Sequence, residues 1–179
     1  MQLNRLLYKS SKGDRRAQKQ FFELYANQLF ATAKRYSNSY EMAEEALFQA
    51  FLKIFVKLPE FEFINEVALV GWLKRIVINQ VLMNRRKELN TLYKVETIDE
   101  ERHEGVYYDE NDEKALIELV NELPDGYKTV FLMNVVDGYA HKEIAETLGI
   151  TESTSRSQFF KARKLLQKKI NQEYEQSGT

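Results

Sequence analysis

The sequence predicts an all-α protein built from two small helical domains. The chain holds only 7 Gly and 2 Pro among 179 residues, so strong helix breakers are few. Apolar residues recur every three or four positions over most of the chain, as in amphipathic helices, and no segment has a convincing strand pattern. An acidic stretch at 95–113, with nine acids and one Arg, separates the two helical parts. We therefore predict domains at 5–92 and 112–175, joined by a flexible acidic linker at 93–111.

The N-terminal domain is predicted to contain a long amphipathic helix that begins after Asp14, a residue suited to the N-cap position. The apolar stripe of this helix is formed by Ala17, Phe21, Tyr25, Leu29 and Ala33, broadened by Leu24 and Tyr36. A second helix follows, with apolar positions at Ala43, Ala46, Leu47, Ala50, Phe51, Ile54, Phe55 and Leu58. Pro59 ends it, because the proline ring cannot continue the hydrogen-bond ladder.

A basic helix closes the N-terminal domain. Residues 59–67 are aromatic but aperiodic and are predicted to form a loop. The inward positions of the helix that follows are Leu69, Trp72, Leu73, Ile76, Val77 and Val81. Between 74 and 87 there are five basic residues and no acids, left mainly to the outer face and the C-terminal end, where cations also suit the helix dipole. Such a block is either a solvated helix face or a surface for an anionic partner.

The C-terminal domain carries the pattern of a helix-turn-helix. One helix stops at Pro124, and another, with apolar Tyr127, Val130, Phe131 and Val135, breaks at Asp137 and Gly138. Two further helices are predicted at 141–148 and 152–172. Between them, Gly149 can adopt the left-handed conformation that ends a helix, and Thr151 can cap the next one. This pattern is typical of motifs whose second helix enters the DNA major groove.

The charge behind this turn favours DNA over a plain helical hairpin, which is the alternative. Residues 141–169 hold seven basic and three acidic side chains, for a net charge of +4, although the whole chain is close to neutral. Cations placed after the turn can neutralise phosphates or contact guanine edges. Of Phe159 and Phe160, we expect one to lie in the core and one to point outward.

Composition argues against several other classes of protein. With no Cys there is no disulfide framework or thiolate metal site, and a reducing compartment fits. No signal peptide or membrane-spanning run is visible, so we predict a cytoplasmic protein without membrane insertion. His103 lies among Glu100, Glu101 and Glu104, but an acidic loop is a weak basis for a metal or acid–base site. His141, at the start of a predicted helix, is interpreted as a surface or phosphate-side residue. We predict no catalytic residues, no metal and no cofactor.

Over residues 8–170 the chain resembles an extracytoplasmic-function (ECF, group 4) RNA polymerase sigma factor of the sigma-70 family, of the kind common in Bacteroidetes. Three segments are similar to sigma regions 2.1, 2.2 and 2.3–2.4, namely FFELYANQLFATAKRY, AEEALFQAFLKIF and GWLKRIVINQVLMNRRK. The last keeps the family's pattern at Trp72, Leu73, Ile76 and Asn79. The segment that is similar to region 4 is ELPDGYKTVFLMNVVDGYAHKEIAETLGITESTSRSQFFKARKLL. The motifs stand in the family's order, which is more specific than a lone helix-turn-helix.

The resemblance implies a function in transcription initiation. It also implies which partners the protein binds and which residues contact them. The implied partners are core RNA polymerase, promoter DNA and an anti-sigma factor. The parts of polymerase that the family contacts are the β′ coiled coil and the β flap. For the −35 element the implied contacts are Arg156, Ser157, Phe160, Lys161, Arg163 and Lys164. For the melted −10 element they are Phe61, Phe63, Asn65, Trp72, Arg75, Asn79, Arg85 and Arg86. For polymerase they are Glu44, Glu45 and Gln49.

Several alternatives stay open at this level. The alternative to a −10 contact for Phe61, Phe63 and Trp72 is packing in the core. The alternative to a polymerase contact for the helix before Pro59 is a solvated helix face. A helix-turn-helix regulator with a helical sensor or dimerisation domain explains the C-terminal half but leaves the basic helix without a purpose. A third possibility is a protein-interaction module.

Four positions depart from the family's usual residues. Phe48 and Gln49 replace Gln and Glu, which points to a rearranged polymerase contact. Ala140 replaces a Ser or Thr cap. Ser155 replaces a packing Val, at an expected cost of about 1 kcal/mol.

Overall fold

The computed structural model describes residues 2–92 and 117–177 and confirms the all-α prediction. Within these two ranges the regular elements are helices, and no strand is present. The chain divides into two compact units, Met1–Glu100 and Glu101–Thr179. None of the helices in the described part of the chain is both long and apolar enough to cross a bilayer. The predicted linker at 93–111 lies outside the described residues, as do His103 and its acidic neighbours.

The first unit is a bundle of four helices. Its elements are α1 Gln2–Ser11, α2 Arg15–Tyr36, α3 Tyr40–Lys57, a 3₁₀ turn Leu58–Glu60 and α4 Glu66–Leu92. Helices α2, α3 and α4 pack against one another, and α1 lies against α2. The sequence patterns did not predict α1, which buries Leu7 and Ser10. Helix α4 begins at Glu66, inside the segment predicted as loop.

The core of this unit contains most of the predicted apolar positions. Phe21, Leu29, Ile54, Leu73 and Val77 are fully buried. The prediction for Leu24 was wrong, because its side chain is 57% exposed. At roughly 100° per residue, a stripe that repeats every four residues drifts around the helix, and position 24 falls well to one side of its centre.

Local capping explains where these helices begin and end. The Asp14 carboxylate accepts hydrogen bonds from the backbone N–H groups of Arg16 and Ala17, at 2.9 and 3.0 Å. The bond from Ala17 keeps the pKa of the Asp14 carboxyl below its ordinary value. The Ser39 hydroxyl caps α3 by accepting from the Met42 N–H at 3.1 Å. Helix α3 ends directly before the 3₁₀ turn that contains Pro59, as predicted.

The second unit packs several short helical elements and one long C-terminal helix around a smaller core. Its elements are α5, described over 117–121, α6 Asp125–Phe131, a π-helical turn Leu132–Val136, α7 His141–Leu148 and α8 Glu152–Ser177. Val130, Met133 and Ile144 are fully buried. The prediction that Val135 faces the core was wrong, since its side chain is 55% exposed. The π turn contains an extra residue per turn, which rotates Val135 off the apolar stripe.

Candidate nucleic-acid interface

The corner between α7 and α8 has the predicted geometry. Gly149 adopts a left-handed conformation, with φ 69° and ψ 34°. The N–H groups of Gly149 and Ile150 both donate to the Ala145 carbonyl, at 2.9 and 3.1 Å, and so close the end of α7. The Thr151 hydroxyl caps α8 by accepting from the Thr154 N–H at 3.0 Å. Because each turn residue has a specific partner, the direction of α8 relative to α7 is fixed.

A polar pair joins the two helices behind this corner. Ser155 is fully buried, and its hydroxyl lies 2.9 Å from Nδ1 of His141. The interpretation of His141 as a surface residue was therefore wrong, and its position on the phosphate side stays a prediction. Its ring is half-buried and meets the Phe159 ring edge-on, with centroids 5.4 Å apart. The cost expected for a hydroxyl at position 155 is offset, because His141 supplies a hydrogen-bond partner.

Removal of this hydrogen bond is expected to destabilise the helix-turn-helix. In Ser155→Ala the His141 ring nitrogen loses its partner, and we expect the free energy of unfolding to fall by about 0.5–1.5 kcal/mol. Urea denaturation measures the loss. Ser153→Ala is the matched control, because Ser153 is exposed on the same helix and the change in helix propensity is the same. Equal stability of the two variants would show that the pair contributes nothing.

One face of α8 carries all six residues predicted to contact the −35 element. We call it the α8 basic face; its members are Arg156, Ser157, Phe160, Lys161, Arg163 and Lys164, and all are exposed. Ser155, Ala162 and Leu166 are buried on the opposite side of the helix. Phe160 is 68% exposed, whereas Phe159 is half-buried and stacks on Phe131 at 6.1 Å, which confirms the expected division between these two phenylalanines.

Two arginines on this face have neighbours that restrict their side chains. The Arg156 guanidinium lies 2.5 Å from the Glu152 carboxylate, one turn earlier on α8. The Arg163 guanidinium lies over the Phe159 ring, 5.9 Å from its centroid.

At the start of α7, the Glu143 carboxylate accepts from the Ala140 N–H at 2.9 Å, which compensates for the missing side-chain cap at that position.

The loop before α4 is ordered by an aromatic pair and a helix cap. The Phe61 and Trp72 rings are both half-buried, with centroids 4.5 Å apart and planes tilted by 30°. Phe63 is also half-buried. Asn65 is exposed, but its side-chain oxygen accepts from the Ala68 N–H at 2.8 Å. The Asn65 oxygen therefore caps α4, which sequence reasoning missed because it extended the loop past the start of the helix.

Loss of this cap is expected to loosen the start of α4. Asn65→Ala removes the only side-chain acceptor of the Ala68 N–H seen among the described residues, and caps of this kind contribute about 1 kcal/mol. Asn65→Asp keeps an acceptor and is the control. We expect amide hydrogen exchange at Ala68 to accelerate in the Ala variant and to stay close to wild type in the Asp variant. Faster exchange in both variants would exclude the capping role.

Helix α4 divides the predicted −10 residues between two sides. Trp72, Arg75, Asn79 and Arg86 are spaced by three, four and seven positions and share one face, on which Arg75, Asn79 and Arg86 are exposed. Arg85 lies elsewhere: it is half-buried, and its Nη1 donates to the Tyr36 carbonyl at 3.4 Å. That carbonyl belongs to the C-terminal end of α2, where the helix dipole favours a cation. The structure therefore does not group Arg85 with the other cations.

The outer surface of α3 combines acidic and apolar side chains. Glu44 and Glu45 are exposed and Gln49 is half-buried; we call these three residues the α3 acidic face. Gln49 donates to the Glu45 carboxylate at 2.7 Å. Further along α3 the exposed apolar side chains are Phe48, Leu52 and Val56. Phe48 stacks on Phe22 of α2, with centroids 6.1 Å apart.

These surfaces define a class of protein: a two-unit helical DNA-binding protein, with a helix-turn-helix in one unit and a basic helix beside an aromatic loop in the other. Comparison with protein families agrees. The family model of Sigma-70 region 2 matches residues 21–91, and that of Sigma-70, region 4 matches residues 113–166. The chain belongs to the sigma-70 family, as an ECF RNA polymerase sigma factor. A separate regulator with a sensor or dimerisation domain is not favoured, since region 2 occupies the N-terminal unit.

Curated relatives match the chain over nearly its whole length. The ECF RNA polymerase sigma factor SigW of Bacillus subtilis is 22% identical over 95% of this chain and 97% of its own. The ECF RNA polymerase sigma-E factor of Haemophilus influenzae is 24% identical over 92% and 93%. Among solved structures, the sigma factor RpoE of Bartonella quintana, in complex with the anti-sigma factor NepR, is similar in fold, with a TM-score of 0.59 and 22% identity over 86% of this chain and 96% of that one. The Bacteroidetes-like character stays a prediction.

Proposed function

We propose that this sigma factor reads the −35 element as duplex with its second unit and holds the melted −10 strand with its first. The observation that carries the proposal is the α8 basic face, which presents six predicted contacts outward while the corner at Gly149 fixes the direction of the helix. The protein acts on polymerase in the cytoplasm and is not itself an enzyme.

At the −35 element, side-chain chemistry assigns each contact a task. The planar Arg156 guanidinium suits the two acceptors of a guanine, and the exposed Phe160 ring suits a thymine methyl group. The Lys161 ammonium is a compact charge without the rigid planar fork of arginine, so it selects a guanine less strictly than Arg does. Arg163 and Lys164 neutralise phosphates, while Ser157 bonds a phosphate or a base edge.

At the −10 element, a single strand needs a cationic track and a platform for an unstacked base. Arg75, Asn79 and Arg86 supply the track along one face of α4. The paired Phe61 and Trp72 rings, with Phe63, form the wall of the base pocket. Asn65 and Arg85 act indirectly, because one caps α4 and the other is bonded to the end of α2.

Polymerase and an anti-sigma factor are the proposed protein partners. The α3 acidic face docks on the β′ coiled coil, and the second unit docks on the β flap. The acidic linker at 93–111 lies along the RNA exit channel, where its charge imitates a nucleic-acid backbone. Because the related RpoE of Bartonella quintana was solved with an anti-sigma factor, we propose that one also restrains this protein.

Transcription in vitro tests the proposal. The full chain and core polymerase are incubated with genomic fragments, start sites are mapped, and single-stranded thymines are detected with permanganate. We expect start sites that share −10 and −35 sequences. Asn79→Ala should weaken permanganate reactivity at the −10 element more than it weakens duplex binding, because Asn79 lies on the face proposed to hold the melted strand. Equal reactivity in the variant and the wild type would contradict the assignment of α4.

A further inference from the structure

A chain of amide side chains runs from the interior of the first unit to the α3 acidic face. Gln80 of α4 is only 2% exposed, in a unit whose buried residues are mostly apolar. Both of its amide protons are used: Nε2 donates to Oε1 of Gln49 at 2.5 Å and to Oδ1 of Asn84 at 2.8 Å. Gln49 in turn donates to the Glu45 carboxylate at 2.7 Å. The buried end of this chain is Gln80, and its exposed end is Glu45.

The direction of every bond in the chain follows from the carboxylate. An ionised Glu45 only accepts hydrogen bonds, so the NH₂ group of Gln49 must face it. The Gln49 oxygen then faces inward, and only a donor can satisfy it. Gln80 supplies that donor from α4. An apolar side chain at position 80 would leave the Gln49 oxygen unpaired, and a carboxylate there would repel it.

The amide at position 80 carries a cost that an apolar residue would avoid. Oε1 of Gln80 and Nδ2 of Asn84 are buried without a hydrogen-bond partner in the described part of the chain. A buried polar atom left unpaired destabilises a fold by about 1–3 kcal/mol. Gln80 therefore packs α4 against α3 less favourably than an apolar residue would. The interaction that an apolar residue could not make is the hydrogen bond to Gln49. Polar residues that cost stability in a core are expected to serve a site.

We infer that Gln80 is a positioning residue for polymerase binding, which fixes Gln49 and, through it, Glu45 on the α3 acidic face before the partner arrives. The inference rests on the proposed function of that face. Exposed Gln and Glu side chains sample several rotamers, and immobilising them on binding costs about 0.5–1.5 kcal/mol for each side chain. An anchor within the core orders both in the unbound protein, so the complex forms at a lower entropic cost.

Equilibrium binding of the full chain to core RNA polymerase tests the inference through a double-mutant cycle. The variants are Gln80→Met, which keeps the length of the side chain and removes the amide, Gln49→Ala, and the two combined. Gln80→Glu is a second probe that keeps the shape but loses both donors. Val77→Ala is the control, because Val77 is a fully buried residue of α4 with no part in the amide chain. Urea denaturation of each variant records its stability.

We expect Gln80→Met and Gln49→Ala each to raise the Kd for core polymerase about tenfold, the worth of one hydrogen bond. The double variant should bind no more weakly than Gln49→Ala, since both changes break the same chain. Val77→Ala should lose stability and retain its Kd. Two results would overturn the positioning role of Gln80 without rejecting the polymerase face. One is an additive loss in the double variant, and the other is a wild-type Kd for Gln80→Met beside a raised Kd for Gln49→Ala. Glu45→Gln is added to test the face itself: wild-type binding by both Gln49→Ala and Glu45→Gln would instead reject the proposed polymerase face.

Discussion

Replacement of Arg156 by Ala is expected to weaken recognition of the −35 element by about 1–3 kcal/mol, the usual contribution of a bidentate contact between arginine and guanine. Arg156 is exposed at the start of the α8 basic face, and its guanidinium is already oriented by Glu152. The loss should be largest on promoters with the preferred −35 sequence and small on promoters with a scrambled one. Competition binding of the polymerase complex to the two promoters measures the difference.

Lys168→Ala is the control for Arg156→Ala. Lys168 is an exposed cation on the same side of α8, but it lies 12 positions beyond Arg156 and is not one of the predicted −35 contacts, so its removal should reduce binding to both promoters slightly and equally. Wild-type binding of Arg156→Ala to both promoters would contradict the assignment of Arg156. An equal loss on preferred and scrambled promoters would reduce its role to a phosphate contact.

Replacement of Phe21 by Ala is expected to have the largest effect on stability. Phe21 is fully buried between α2 and α3, where its ring lies 4.9 Å from the Tyr25 ring and 6.0 Å from the Phe55 ring. Truncation of a core phenylalanine to Ala removes buried apolar area and leaves a cavity, and together these cost about 3–5 kcal/mol. Such a loss is a large part of the stability of a small domain. Chemical denaturation measures it.

Leu24→Ala on the same helix is the control for Phe21→Ala. Because Leu24 is largely exposed, its truncation should cost less than about 1 kcal/mol. A similar loss in both variants would mean that α2 packs with a different face inward. The comparison of the two variants therefore also tests whether Leu24 lies outside the buried apolar stripe of α2.

Features set by neighbours in the sequence were predicted well. The Asp14 cap, the end of α3 at Pro59 and the left-handed Gly149 each depend on residues within one helical turn. The members of the α8 basic face were taken from the resemblance to the sigma-factor family, and the helical period places them on one side of α8. Short-range patterns therefore supplied most of the helices, whereas the residues that we assign to the −35 element came from the resemblance.

Features set by packing between helices were missed. Gln80 and Gln49 are 31 positions apart, and a polar residue in an amphipathic pattern is ordinarily assigned to the solvent side. His141 and Ser155 meet only because the corner folds α7 onto α8. The π turn that exposes Val135 has no sequence signature of its own. These errors arise because the partner of a buried polar group is invisible until the helices are placed.

The most direct test of the central claim compares binding of the full chain to promoter DNA with and without core RNA polymerase. We propose that one unit reads duplex DNA and the other captures the single strand, and that both tasks depend on the polymerase. This division of tasks predicts little affinity of the isolated chain for a promoter duplex and tight, sequence-selective binding once core polymerase is added. Tight binding of the isolated chain to a palindromic duplex, unchanged by core polymerase, would contradict it.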